Sequence, residues 1–255
     1  MEALQREGYL QVTEFAERVD VSAATIRRDL EHLEAEGKCI RKRGGAVPSG
    51  SGTTWELPYD VKRLENVEQK RAIAEAAAER VKNGDAIILD AGSTTFELAR
   101  ILSTRKHLTV VTNDLKIALT LSSNAGINLV CVGGTVRPNI YSMIGSHAIN
   151  FLRTLKVDKA FLGADAIHDD GVISNVILDE VAVKQAILAA ARKVILLADS
   201  SKFQITGFAR VADLSEVDLL ITDNAASRAS REMLEKWEVD VCYVERTASN
   251  AAHTA

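Results

Sequence analysis

"SAATIRRDLEHLEAEGKCIRKRGGA", residues 22–46, sets two adjacent arginines near the start of a helical pattern and a basic triplet just past its end. Ser22 can cap the helix, and Ile26, Leu30 and Leu33 fall on one face, so the stretch predicts an amphipathic helix that Gly37 terminates. Upstream, "VTEFAERVDV" (12–21) predicts a shorter helix capped by Thr13, with Phe15, Ala16 and Val19 turned inward. The brief Asp20-Val21 connection has the length a helix-turn-helix requires. Downstream, "KCIRKRGGA" (38–46) reads as a strand, a tight Gly44-Gly45 turn and a return strand, the outline of a wing.

With the apolar face inward, Ser22, Ala24, Thr25, Arg27 and Arg28 lie on the N-terminal, outward part of the second helix. That part of a recognition helix meets base edges in the major groove. Arginine suits the task because its fork can bond guanine O6 and N7 together. Arg41, Lys42 and Arg43 on the wing would meet phosphates, which position a protein without specifying sequence. Taken singly, Arg27 and Arg28 could be a solvated face interleaved with Asp29, Glu31, Glu34 and Glu36. Cap spacing, apolar face, turn length and basic wing agree with one another, and that agreement favours a reader of double-stranded DNA.

The remainder of the chain is acidic enough to bring the net charge of all 255 residues to −4, so any nucleic-acid contact must come from this local patch. Three widely spaced cysteines, Cys39, Cys131 and Cys242, form no CxxC pair, which argues against a disulfide framework or zinc site and for a reducing compartment. Cys131 sits in an apolar run and reads as a core residue. His32, His107, His147, His168 and His253 lack metal-ligand spacing. There is no Walker loop and no GxSxG elbow, so neither a cofactor, a metal nor a catalytic set is expected. The charged N-terminus and the absence of a long apolar run predict a cytoplasmic protein without a membrane span.

"PSGSGTT" (48–54) reads as a linker, and "VKRLENVEQKRAIAEAAAERV" (61–81) as one helix. Beyond it come "AIILD" (86–90), "LTVVT" (108–112), "INLVCV" (127–132), "KAFLG" (159–163), "KVILLA" (193–198), "VDLLIT" (217–222) and "VDVCYV" (239–244), mostly separated by helical stretches. Near-continuous apolar strands alternating with helices predict an α/β domain with an open, mainly parallel sheet covered on both faces. The expected layout is a winged helix-turn-helix at 1–52, a linker and coupling helix at 53–80, a sensor domain at 81–245 and a disordered tail at 246–255.

In such a sheet the C-terminal strand ends form the ligand crevice. "LDAGSTTFELARIL" places Asp90 at one strand end, then Gly92, Ser93, Thr94 and Thr95 at a helix start, a ready anion site. Ser93 or Thr94 could instead simply cap that helix. Further loops offer Asn113, then Gly133, Gly134 and Arg137, then Asp165, then Asp179, Glu180 and Lys184, then Asp199 and Lys202. Cations would serve a phosphate, while carboxylates and Asn113 would bind sugar hydroxyls. Singly, Glu180 and Lys184 could be an exposed i,i+4 pair and Asp199 a turn cap; jointly these residues suggest a polyol-phosphate pocket.

"VSAATIRRDLEHLEAEGKCIRKRGGAV" resembles the winged helix-turn-helix signature of the DeoR family of bacterial sugar-metabolism regulators. The family's wing usually reads Arg-x-His-Gly-Gly-Ala; Arg41 and both glycines match, and Arg43 stands in the histidine's place. Family members usually have a fuller first helix, and only Met1 to Glu7 precede Gly8, so the expectation is either that the chain starts late or that its first helix is short. "DAGSTT", "TND", "GGTVR", "FLGAD", "DE…K" and "LADSSKF" are similar to successive blocks of the DeoR-type sensor, so the resemblance runs from about Val12 to Asp223. It implies a fold similar to ribose-5-phosphate isomerase and CoA-transferase-like sheets. It also implies a phosphate loop at Gly92 to Thr95, sugar contacts at Asp90, Asn113, Asp165, Glu180 and Lys184, and a pocket lysine at Lys202. Ala166 in place of a frequent glycine, the stretch "VISNVILDE", and Gln204-Ile205-Thr206 after "SKF" depart from the family, so the effector is expected to differ from that of better-known members.

The expectation is a DNA-binding transcriptional regulator, a repressor of a sugar catabolic operon relieved by a phosphorylated sugar or related metabolite. Paired half-sites imply a homodimer or homotetramer. The alternative is a sugar-phosphate isomerase-like enzyme, with Glu180, Asp165 and Lys202 shuttling a proton on an enediol; an attached DNA-binding module speaks against it.

Overall fold

The computed structural model describes residues 1–49, 56–204 and 206–245. Most of the expected linker, and the tail at 246–255, lie outside the described residues. The chain divides into two units, Met1–Glu65 and Asn66–Ala255.

The first unit runs α1 (Glu2–Glu7), β1 (Leu10–Gln11), α2 (Val12–Arg18), α3 (Ala23–Ala35), β2 (Cys39–Lys42), β3 (Gly45–Pro48) and α4 (Tyr59–Lys62). Its strands form an antiparallel sheet in the order β1-β3-β2. Leu4, Leu10, Val12, Ala16, Ile26, Leu30, Cys39 and Ala46 bury together as its core, so even the six-residue α1 is anchored through Leu4. Ser22 caps α3 by accepting a hydrogen bond from the Thr25 N–H at 3.1 Å. Thr13 does not cap α2; that helix starts at Val12, with Gln11, two residues earlier, as its cap. Val19 is exposed rather than inward, because α2 ends at Arg18 and Asp20 turns through a left-handed conformation (φ 54°).

The wing turn also shifts by one residue. Lys42 pairs with Gly45, so Arg43 and Gly44 make the turn and Gly45 already belongs to β3. Gly45 is needed for close approach: a Cβ there would stand 2.1 Å from the Leu10 carbonyl oxygen and 2.7 Å from the Tyr9 ring.

The second unit runs α5 (Val67–Ala78), β4 (Ala86–Leu89), α6 (Ser93–Leu102), β5 (Leu108–Thr112), α7 (Leu115–Leu121), β6 (Ile127–Cys131), β7 (Thr135–Val136), β8 (Met143–Ile144), α8 (Ser146–Arg153), β9 (Val157–Gly163), β10 (Ala166–Ile167), β11 (Val172–Asn175), α9 (Leu178–Ala190), β12 (Ala191–Leu197), β13 (Ala209–Asp213), β14 (Leu219–Asp223), α10 (Arg228–Lys236) and β15 (Val241–Val244). The helix expected over 61–81 is two helices, α4 and α5. They are parted at Asn66, whose left-handed backbone (φ 50°) caps α5 and is a conformation asparagine tolerates.

All seven apolar runs named from the sequence enter one sheet, in the order β15-β14-β12-β9-β4-β5-β6, and every pairing in it is parallel. The two-residue alternation divides the strands between two cores. Ile87, Leu89, Val110, Phe161, Ile195, Leu197 and Ile221 pack with α5, α6 and α7. Ile88, Ala160, Leu162, Val194, Leu196 and Leu220 pack with α8, α9 and α10. Shorter antiparallel strands, β10-β11-β13 and the β7-β8 hairpin, stand outside this sheet. Cys131 is exposed, not a core residue, because it ends the edge strand β6. No helix among the described residues is long and apolar enough to cross a membrane.

Phe161 is wholly buried in the central strand β9, so Phe161→Ala is expected to cost about 3–5 kcal/mol by equilibrium denaturation. Gly45→Ala is expected to cost about 1–3 kcal/mol, read as loss of cooperative unfolding of the first unit at lower denaturant.

Candidate functional site

On the first unit, Ser22, Ala24, Arg27 and Arg28 are exposed at the start of α3 and Thr25 is half-buried. Ile26 and Leu30 point into the core and hold this face outward. Arg27, Arg28 and the turn residue Arg43 make no ion pair among the described residues. Arg41 meets Glu31 at 2.9 Å, and Lys42 meets Glu65 at 2.9 Å. The result is a cationic strip from the helix start to the wing tip, with only part of its charge internally committed.

On the second unit, parallel pairing sends every C-terminal strand end to one edge. Chain order along that edge reverses between β4 and β9: β5 and β6 follow β4 on one side, while β12, β14 and β15 follow β9 on the other. That switch point is where open α/β sheets leave a crevice. Asp90 ends β4 there. Its Oδ2 accepts the Gly163 N–H at 3.0 Å and is ion-paired to Lys184 of α9, whose ammonium also donates to the Gly163 carbonyl at 2.9 Å. One turn earlier on α9, Glu180 binds Arg137 and Ser142 through Oε1, each at 2.6 Å, and Asn175 through Oε2 at 2.8 Å. Glu180 and Lys184 are therefore not an exposed pair; both are buried and each has its own partner.

Asn113, at the end of β5, accepts the Ala91 N–H at 2.9 Å and so shapes the loop leading to α6. Gly92 is the N-cap of α6 and no side chain caps that helix; Thr95 donates its hydroxyl to the Gly92 carbonyl at 2.9 Å. Asp165 accepts the Val176 N–H at 3.2 Å. Gly134, at φ 113°, packs where a Cβ would lie 2.4 Å from the Ile144 carbonyl, and Gly133 abuts His147; both shape the approach to the β7-β8 hairpin. Lys202 lies in a 3₁₀ turn, Ser200–Gln204, half-buried and outside the hydrogen-bond network around Asp90 and Glu180. Residues that the sequence did not single out complete the network: Ser142 and Asn175 hold Glu180, and Asn66 donates to Asp199 at 2.9 Å. A lone serine or asparagine carries no periodic signal, and each reaches its partner only through the fold.

Burial pushes the Asp90 carboxyl up, against the pull of Lys184. Burial works to lower Lys184, but the Asp90 and Glu180 carboxylates outweigh it and hold the ammonium protonated. Asp114, cap of α7, is pushed up to about 6 by burial, although N–H groups of Ile117, Lys116 and Gly92 pull it down. Among the described residues, Asp90 Oδ1, Asn175 Oδ1 and Asp199 Oδ2 are buried with no hydrogen-bond donor. An unmet buried acceptor is costly.

Residues 1–50 match the DeoR-like helix-turn-helix domain, and residues 65–224 match the DeoR C-terminal sensor domain. The chain belongs to the DeoR family. Like the family, it is a DNA-binding transcriptional regulator with operator DNA as its partner. It is 33% identical over 224 residues to the glycerol-3-phosphate regulon repressor of Escherichia coli (strain K12), covering 88% of each chain. It is 36% identical over 230 residues to the HTH-type transcriptional regulator GlpR of Haloferax volcanii, covering 90% of this chain and 89% of that one. Ribose 5-phosphate isomerase A from Methanocaldococcus jannaschii aligns over 55% of each chain, at 21% identity and a TM-score of 0.41. With relatives of this kind the enzyme reading is not favoured.

Removing one partner of the buried pair strands the other, so Lys184→Ala is expected to cost about 3–5 kcal/mol in urea denaturation at neutral pH. Asp114 gives a pH signature of its own. Its folded pKa stands above the ordinary 3.8, so the folded state binds its proton more tightly than the unfolded chain. Its contribution to stability therefore falls as pH rises from about 4 to about 6 and stays low above that, by at most about 3 kcal/mol. Denaturation of Asp114→Asn across that range is expected to lack this component, since asparagine caps equally well.

Proposed function

We propose that this regulator is a repressor of a sugar or polyol catabolic gene set, released from its operator by a phosphorylated sugar or polyol. The observation that carries the proposal is the pairing of two features. One unit leaves Arg27, Arg28 and Arg43 exposed and uncommitted. The other gathers unmet buried acceptors beside an uncapped helix start at one crevice. In this reading Arg27 and Arg28, with Ser22, Ala24 and Thr25, read base edges, while Arg41, Lys42 and Arg43 meet phosphates.

The phosphate sits on the Gly92–Thr95 turn, where backbone N–H groups and the helix dipole favour an anion. Arg137, Lys184 and Lys202 supply positive charge, and hydroxyls donate to Asp90, Asn113, Asp165 and Glu180. Gly133 and Gly134 shape the rim. One relative, the glycerol-3-phosphate regulon repressor of Escherichia coli, supports a small phosphorylated polyol as the class of effector. The protein acts in the cytoplasm on paired half-sites, as a homodimer or homotetramer. The effector shifts the population from operator by its differential affinity for the two arrangements, and by no more.

Thermal unfolding against sugar and polyol phosphates, beside their unphosphorylated parents, tests the crevice. One phosphate is expected to raise the midpoint where its parent does not, by mass action. No rise across the panel would refute the sugar-phosphate reading while leaving DNA binding intact. Arg27→Ala is expected to weaken operator binding by about 1–3 kcal/mol in a titration at fixed salt; undiminished binding would remove Arg27 from the reading face.

A further inference from the structure

Of the wing's basic residues, Lys42 is the one held by a distant carboxylate. Its ammonium lies 2.9 Å from Glu65 Oε1, with 30% of the lysine side chain and 25% of the glutamate side chain exposed. The Arg41–Glu31 pair joins neighbouring faces of the wing and α3 and is more open to water. Glu65, by contrast, stands at the very end of the first unit, beyond α4. It also faces Tyr9, whose phenol is pushed up by burial with the Glu65 carboxylate adding to the effect. Tyr9 in turn lies against Gly45 at the base of the wing.

We propose that Glu65 is a resident competitor for the wing: its carboxylate occupies the Lys42 ammonium that an operator phosphate would otherwise take. A carboxylate and a phosphodiester make the same demand on an ammonium, a compact point charge that serves one close anion well. Operator binding through Lys42 must break or share the Glu65 pair. The inference rests on the reading of the first unit as the DNA binder.

The test uses the full chain and a DNA duplex enriched by the native protein from a random-sequence pool, titrated over a series of salt concentrations. Glu65→Gln is expected to tighten binding about two- to fivefold, the range of a partly exposed ion pair. It is also expected to steepen the slope of log K against log salt by about 0.9, one phosphate more. In a Lys42→Ala background the same change is expected to do nothing. Thermal unfolding of each variant verifies that it is folded. Unchanged affinity and slope in Glu65→Gln would overturn the proposal. So would a gain that persists without Lys42, which marks a general charge effect. Failure of the native chain to enrich any duplex would instead refute the DNA-binding reading, and this inference with it.

Discussion

Asp90 and Lys184 stand 94 residues apart in the chain and meet as a buried ion pair beside the reversal point of the sheet. Two charges removed from water are tolerable only when each finds the other and further hydrogen bonds, and both conditions hold here. Asp90 takes the Gly163 N–H and Lys184 gives to the Gly163 carbonyl, so the end of β9 is clamped between β4 and α9. The pair depends on β4 and β9 being parallel neighbours with α9 packed across them. Parting β4 from β9, or moving α9 off them, would leave an uncompensated charge in the interior. The constraint therefore ties the topology of the sensor to the geometry of its crevice.

Around that clamp the polar chemistry is organised by helix starts. The Glu180 carboxylate at the head of α9 draws in Arg137 and Ser142 from the connection between β7 and β8, and Asn175 from the end of β11. Asp114 caps α7, and the α6 start carries no side-chain cap at all. Most donors and acceptors in the crevice are spent on positioning one another. A small number are unspent, chiefly acceptors, and an acceptor-rich remainder selects for hydroxyl donors. In the function proposed above, such a crevice binds and orients a polyol, and it influences DNA binding only through a difference in affinity between two arrangements of the same chain.

Much of the fold was legible from local pattern. The seven apolar runs all became strands of one parallel sheet because a strand buried on both faces must be apolar almost throughout, and such runs stand out in sequence. The antiparallel pieces β10, β11 and β13 were missed because they are short and mixed in polarity. The single helix expected over 61–81 became two, since helical composition says nothing of a tertiary bond that fixes Asn66 in a left-handed turn. Cys131 was misread for a related reason: its neighbours are apolar, but only strand order reveals that β6 is an edge.

The winged unit shows the same division. Cap, apolar stripe and breaker are properties of neighbouring residues, so the sequence by itself determined that α3 exists, where it ends and that Arg27 and Arg28 face outward. It likewise determined the parallel α/β class and the loops that carry polar residues. Only the tertiary structure decided which of those residues meet. Strand order, helix placement and the one-residue register of the wing turn are long-range choices. They pair Lys184 with Asp90 rather than with Glu180, and Lys42 with Glu65 rather than with solvent. Electrostatic partnership falls off within a few ångströms, and separation along the chain carries no information about it.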